Sequence, residues 1–232
     1  MKRLQFVVHC WRYSRVLAYQ LSSLILNSTE KWDDVICTVF YARDDQPTAD
    51  MLNYFRSKLS LVAWPLSLPE LQRREIGRNL AARDALGDVV WFTDADYVFG
   101  SECLNTLAVL SDDFADDMIY YPRRYMGTIT RDIGDAIALK VTGPGLYAVD
   151  STDFEPNIID RAIGGAQIVT GDTARKHGYC PNDRPPPTDS PGFFFKSDRW
   201  YRHLFKSERG IRIVLPNLYR IRQSVSSRVD TL

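Results

Sequence analysis

Residues 77–97 read GRNLAARDALGDVVWFTDADY, and the fold turns on how this stretch divides. Its first half has a helical composition, and Gly87 marks the stop. Asp88 to Thr93 (DVVWFT) is a short apolar run bounded by turn residues, the pattern of a strand buried on both faces. Two carboxylates, Asp94 and Asp96, follow it at once. Upstream, Leu4 to Cys10 (LQFVVHC) and Asp34 to Tyr41 (DVICTVFY) read as further buried strands. Between them, from Ser14 to Asn27, apolar Val16, Leu17, Leu21, Leu24 and Leu26 fall near the 3.6 period of a helix. Thr48 to Leu59 is expected to be helical, Ser60 to Trp64 a strand, and Pro69 to Leu86 one continuous helix. Strands and helices alternating at this spacing build βαβ units around a parallel sheet.

Ligands of such sheets bind at the carboxyl ends of the strands. The residues there are His9 to Arg12, Asp44 with Asp45, and Asp94 with Asp96. Two carboxylates at i and i+2 can share a divalent cation and the nucleotide it carries, and oxygen ligands suit Mg²⁺ or Mn²⁺. Taken alone, two exposed loop aspartates would read the same way.

The second half is less regular. Cys103 to Leu110 reads as a helix, and Met118 to Tyr121, Gly145 to Val149 and Gln167 to Thr170 as strands. A turn at Gly171-Asp172 opens a helix to His177. Asn182 to Gly192 is a proline-rich loop, Phe193 to Phe205 a helix, and Ile211 to Leu215 and Leu218 to Arg222 short strands.

The chain has 232 residues, of which 45% are hydrophobic and 25% charged, the balance of a globular domain and not of a disordered or fibrous chain. Its 29 basic and 29 acidic side chains cancel, which argues against a uniformly basic nucleic-acid binder. The charge is uneven, however: residues 171–232 hold 12 basic and 6 acidic side chains, a basic end that could face a polyanion or a diphosphate. No stretch has the roughly 20 apolar residues of a membrane helix, and the start does not read as a signal peptide. Cys10, Cys37, Cys103 and Cys180 lack metal-ligand spacing, so reduced thiols in a cytoplasmic protein are the simplest expectation. There is no G-x-G-x-x-G after the first strand, no G-x-x-x-x-G-K-[ST], no G-x-S-x-G and no H-E-x-x-H.

Arg78, Asn79, Ala85, Gly87, Asp88, the apolar strand, Asp94 and Asp96 together resemble the GT-A glycosyltransferases of family 2. His9-Cys10-Trp11-Arg12 falls where that family has a nucleotide-contacting loop, and Gln20 to Leu24 also fits. Gly164-Gly165, the strand after them and His177-Gly178-Tyr179 look like the family's acceptor-side segment. The resemblance covers residues 4–100 well and the rest loosely.

It implies an α/β GT-A fold, a mostly parallel sheet flanked by helices. One domain would span 1–232, with a nucleotide-sugar half at 1–100 and an acceptor half at 101–232. It implies a metal-dependent, inverting transfer of a sugar from a nucleotide diphosphate donor, most simply a UDP-sugar, to a hydroxyl. Asp94 and Asp96 would hold the Mn²⁺ or Mg²⁺; Asp44 and Asp45 would face the nucleoside; His9, Trp11 and Arg12 would line its pocket. Arg78 would help position the donor or buttress the Asp44 side.

For the base that takes the acceptor proton, Asp198 is the best positional match and Asp189 the runner-up, although Asp198 could instead cap its helix. The family's C-terminal histidine is missing from Leu218-Tyr219-Arg220-Ile221-Arg222-Gln223. Either a water takes its place, or Arg220 and Arg222 meet the diphosphate directly. The acceptor could be a glycan, a lipid-linked sugar, a protein or a modified base in DNA. Two rivals come from other classes: a nucleotidyltransferase, which would usually carry a Gly-rich loop after the first strand, and a non-catalytic nucleotide-sugar binding module.

Overall fold

Strand β1 (Arg3–Cys10) is the sheet's inner spine, and Leu4 to Val8 are buried because it has a parallel neighbour on each side. The structure, a computed structural model, describes residues 2–180, 196–205, 207 and 209–224. Helix α1 (Ser14–Leu26) leads to β2 (Asp34–Ala42), α2 (Gln46–Phe55) and β3 (Ser60–Leu66). Two helices, α3 (Leu68–Gln72) and α4 (Arg74–Arg83), precede β4 (Val89–Asp94). The order β3-β2-β1-β4 is parallel throughout, as the alternation of strands and helices requires.

Beyond β4 come β5 (Tyr97–Phe99), α5 (Cys103–Leu110), β6 (Tyr120–Pro122), β7 (Arg124–Thr128), α6 (Arg131–Leu139), β8 (Phe154–Ile158), β9 (Ala166–Thr170) and α7 (Gly171–His177). Helix α8 (Lys196–His203) and strands β10 (Ile211–Ile213) and β11 (Leu218–Arg220) complete the described elements. β9 inserts antiparallel between β4 and β6, and β10 joins β6 in parallel, making seven strands in the order β10-β6-β9-β4-β1-β2-β3. A smaller sheet, β5-β11-β7-β8, stands at the carboxyl end of β4.

The core under the sheet is aromatic. Phe6, Trp91 and Phe99 have centroids 4.5–5.6 Å apart, contacts each worth about 0.5–1.5 kcal/mol beyond area burial. No helix among the described residues is long and apolar enough to cross a membrane. The four cysteines form no disulfide, and Cys10, Cys37 and Cys103 are buried.

The expected elements differ from these in definite places. Pro69 to Leu86 is not one helix: Arg73 leaves helical geometry at ψ 77°. A Ser67–Glu70 capping box starts the short α3, which ends at Arg73. Helix α2 starts earlier, at Gln46, because Asp45 caps it, and ends at Phe55 rather than Leu59. Gly145 to Val149 is not a strand; Pro144 and two flanking glycines break it, and Tyr147 is tied to Ser22 Oγ through its N–H at 3.0 Å. Strands β5, β7 and β8 are too short or too polar to show an apolar period; helix α6 is amphipathic, with Ile133 and Ile137 four apart, but sequence reading did not single it out. The proline-rich loop, Asp189 and Phe193 to Phe195 lie outside the described residues.

Candidate active site

The parallel register sets His9 opposite Asp94 on one side and Phe40 on the other, at the carboxyl edge of the sheet. Helix α4 comes down on this edge with no room to spare. A Cβ at Gly77 would lie 2.5 Å from His9 Nε2 and 2.7 Å from Phe40 Cγ, so only glycine allows the approach. The break at Arg73 then starts a helix whose Arg74 and Arg78, four residues apart, share one face directed at Asp94. On the other side, β9 pairs antiparallel with β4, Ala166 facing Thr93, and the chain before it runs past Asp94 as Gly164-Gly165. A side chain at Gly165 would collide with the Asp94 carboxylate, and one at Gly164 with that of Asp198.

Arg78 is the centre of the cluster. It has no exposed surface, which is rare for arginine, and the carboxylates of Asp198 and Asp94 beside it offset its buried charge. Its Nη1 donates to Asp198 Oδ1 at 2.7 Å and to the Tyr179 hydroxyl at 2.7 Å, and its Nη2 stands 3.6 Å from Asp94 Oδ1. One guanidinium thus joins Asp94 to Asp198, the candidate base. The Tyr179 hydroxyl lies 2.7 Å from Asp198 Oδ1 and 2.6 Å from Gln167 Oε1, and Gln167 Nε2 donates to the Asp198 backbone carbonyl at 3.1 Å. Asn79 receives the N–H groups of Tyr179 and Cys180, which sets Tyr179 in place. Asp198 lies in the first turn of α8, with its carboxylate on Arg78 and Tyr179.

Asp94 is surrounded by cations. Arg74 Nη1 donates to Oδ1 at 2.9 Å and Arg220 Nη2 reaches Oδ2 at 3.4 Å. Burial pushes this carboxyl upward, but Arg74, Arg220 and Arg78 outweigh it and hold it down at about 2. A carboxyl near 3.9 in the unfolded chain and lower in the native one adds stability above 3.9 that is lost as pH falls through the native value. Stability is therefore expected to drop by about 2 kcal/mol between pH 4 and pH 2 on this account. Urea unfolding across that range checks it: Asp94→Asn should flatten the slope, and an unchanged slope would sink the assignment.

His9 stacks on Phe40 at 5.1 Å, and both its ring nitrogens are shielded, with no hydrogen-bond partner among the described residues. Burial first, then Arg78 and Arg74, pushes its pKa well below the usual value, so it is neutral at pH 7. The loop after it is fixed from β2. Asp45 accepts from Arg12 N at 2.7 Å and from Thr48 N and Oγ1, and so is buried as the α2 cap, while Asp44 stays exposed beside it. Arg12 has φ 49°, in the left-handed region, and its guanidinium lies 5.7 Å from the half-open ring of Trp11.

Arg220 reaches the cluster because β11 pairs with β5, placing it opposite Tyr97. Its Nε donates to Asp96 Oδ2 at 3.0 Å. Arg222 is not brought there. Its guanidinium is held by the Thr128 and Ile129 carbonyls, by Glu155 and by Asn157, on the small sheet. Sequence reading did not single out Arg74 or Gln167. The i, i+4 pair Arg74/Arg78 was a usable signal for the first; Gln167 looks like any strand residue.

The carboxylate pair fits a resident divalent cation poorly. Both oxygens of Asp94 and Oδ2 of Asp96 are engaged by guanidiniums. Among the described residues no group of three histidine, cysteine, aspartate or glutamate side chains forms that could hold a metal.

No family model and no curated protein matches the sequence. Solved structures do match in shape. TarS residues 1–349 of S. aureus, in complex with UDP-GlcNAc, superposes at TM-score 0.63 with 16% identity, covering 100% of this chain and 62% of that one. The same region in complex with UDP gives 0.62 and 18%, over 94% and 60%. The mannosyltransferase PcManGT from Pyrobaculum calidifontis, in complex with GDP-Man and Mn²⁺, gives 0.51 and 16%, over 95% and 57%. The chain thus spans about 60% of the length of these neighbours. With its mostly parallel seven-stranded sheet, flanking helices and D-x-D at the end of β4, the chain has the fold of GT-A nucleotide-sugar transferases.

Proposed function

We propose that the chain is a glycosyltransferase that moves a sugar from a nucleotide diphosphate, most simply a UDP-sugar, to an acceptor hydroxyl, with inversion. The observation that carries this reading is the Arg78 bridge, which links Asp94 on the donor side to Asp198 on the acceptor side. Asp198 takes the hydroxyl proton. The freed oxygen attacks the anomeric carbon from the face opposite the diphosphate, the new C–O bond forms, and the bond to the diphosphate oxygen breaks with its electron pair. Arg74 and Arg220 lie where the leaving charge collects, and guanidiniums match phosphate oxygens in geometry as well as sign. Trp11 and Arg12 line the nucleoside end, with exposed Asp44 at the rim and Asp45 holding the loop.

UDP-sugars come first among donors because TarS binds UDP and UDP-GlcNAc in the matching structures, with GDP-sugars next after PcManGT. The test is protection against thermal unfolding by UDP, GDP, UDP-GlcNAc and GDP-mannose. A ligand at 100 times its dissociation constant adds about 2.7 kcal/mol, which raises the midpoint by roughly 5–10 °C in a chain of this size. Protection by a nucleotide sugar supports the reading; no protection by any of them would remove its basis. NMR of the product's anomeric centre then reads the stereochemistry.

A further inference from the structure

We propose that Arg220 does at the donor diphosphate the work that a bound divalent cation does in metal-dependent sites, so that this site takes its nucleotide without a metal. The inference rests on the donor-site reading above and concerns how that site meets the diphosphate.

The place a cation would take, between the two carboxylates of the D-x-D, is filled by a guanidinium. Arg220 Nε lies 3.0 Å from Asp96 Oδ2 and its Nη2 lies 3.4 Å from Asp94 Oδ2. The other Asp94 oxygen is taken by Arg74 at 2.9 Å, with Arg78 at 3.6 Å. A cation bound by both carboxylates would have to break these contacts and then find further ligands.

Arg220 is also held in position. The rings of Tyr97 and Tyr125 lie 5.1 and 5.8 Å from its Cζ, a cation–π arrangement. Backbone pairing fixes its strand, with Arg220 opposite Tyr97 and Ile221 N donating to the Asp96 carbonyl at 2.9 Å. Its neighbour Arg222, two positions on, does not share the task, being spent on the Thr128 and Ile129 carbonyls and Glu155. An arginine carries five N–H donors and stays charged at any working pH. The two contacts to Asp94 and Asp96 leave others for anionic oxygens, so the aspartates orient the guanidinium and the guanidinium binds the diphosphate.

The experiment is calorimetric titration of the full chain with UDP, GDP, UDP-GlcNAc and GDP-mannose, in EDTA and in Mn²⁺. A parallel titration of Mn²⁺ alone uses its paramagnetic resonance. The expected result is a nucleotide affinity equal within about threefold in EDTA and Mn²⁺, with no Mn²⁺ bound at micromolar concentrations. Arg220→Gln should weaken the same nucleotide about 30-fold, unrescued by Mn²⁺, and Arg220→Lys should recover only part of it. Binding that appears only with Mn²⁺ overturns the inference and leaves the transferase reading standing. Binding of no nucleotide under either condition overturns both. Should the Arg220 variants fail to fold, the EDTA–Mn²⁺ comparison on the unaltered chain decides alone.

Discussion

Asp198→Asn should lower the transfer rate by about 10²–10⁴-fold while the nucleotide dissociation constant stays within a few-fold. Asparagine keeps the volume and the Oδ1 that receives Arg78 and Tyr179, but it cannot take a proton. The loss should therefore fall on kcat and not on donor binding. The measurement is steady-state transfer with whichever donor protects the protein, alongside a binding titration on the same sample. A variant that keeps its rate would show that the acceptor proton goes elsewhere. A variant that loses donor affinity as well would show that Asp198 acts by holding Arg78, and its role would be structural.

The second large effect is on stability. Arg78→Met should cost about 3–5 kcal/mol, enough to lower the thermal midpoint by roughly 10 °C. Methionine fills much of the volume, so packing is largely kept. What is lost is the cation that touches both Asp94 and Asp198, together with the donor that meets the Tyr179 hydroxyl. Arg78→Lys should recover less than half, because a single ammonium on a shorter stem cannot reach both carboxylates, which two separate guanidinium nitrogens meet. Urea unfolding monitored by tryptophan fluorescence measures both variants. A loss below about 1 kcal/mol for Arg78→Met would mean that the pocket relaxes around the missing charge and that the bridge adds little.

Which parts of the fold and site are legible in the amino-acid sequence follows a physical division. Strands β1, β2 and β4 are continuous apolar runs because each is covered on both faces, and such runs are visible in composition alone. The carboxylates after β4 are legible for the same reason, since they begin where the apolar run stops. The contact between Arg78 and Asp198 is not legible: 120 positions separate them, and only the insertion of antiparallel β9 beside β4 brings the second half of the chain over the first. Arg74 is hidden by the break at Arg73, because one unbroken helix from Pro69 gives no reason to single out its face. Asp45 shows the opposite case. Asp45-Gln46-Pro47-Thr48 is a helix-start signature in its own right, and the structure uses it so, with Asp45 capping α2 and leaving Asp44 exposed. The short strands of the smaller sheet are beyond reach because β7 and β8 carry glycine, proline and polar residues and are held mainly by pairing with each other and with β11.

The guanidinium of Arg78 is a rigid plane with one carboxylate on each of two nitrogens, 2.7 Å from Asp198 and 3.6 Å from Asp94. In the transferase proposed above, a group so placed would make nucleotide and acceptor binding a heterotropic pair. A ligand that drew the plane toward Asp94 would loosen it on Asp198, and the free energy of that exchange would be the same read in either direction. Filling the nucleotide side would then alter the acceptor's dissociation constant by the same factor that the acceptor alters the nucleotide's. A constant measured for one proposed substrate alone would then belong to a different equilibrium from the one that operates with both bound.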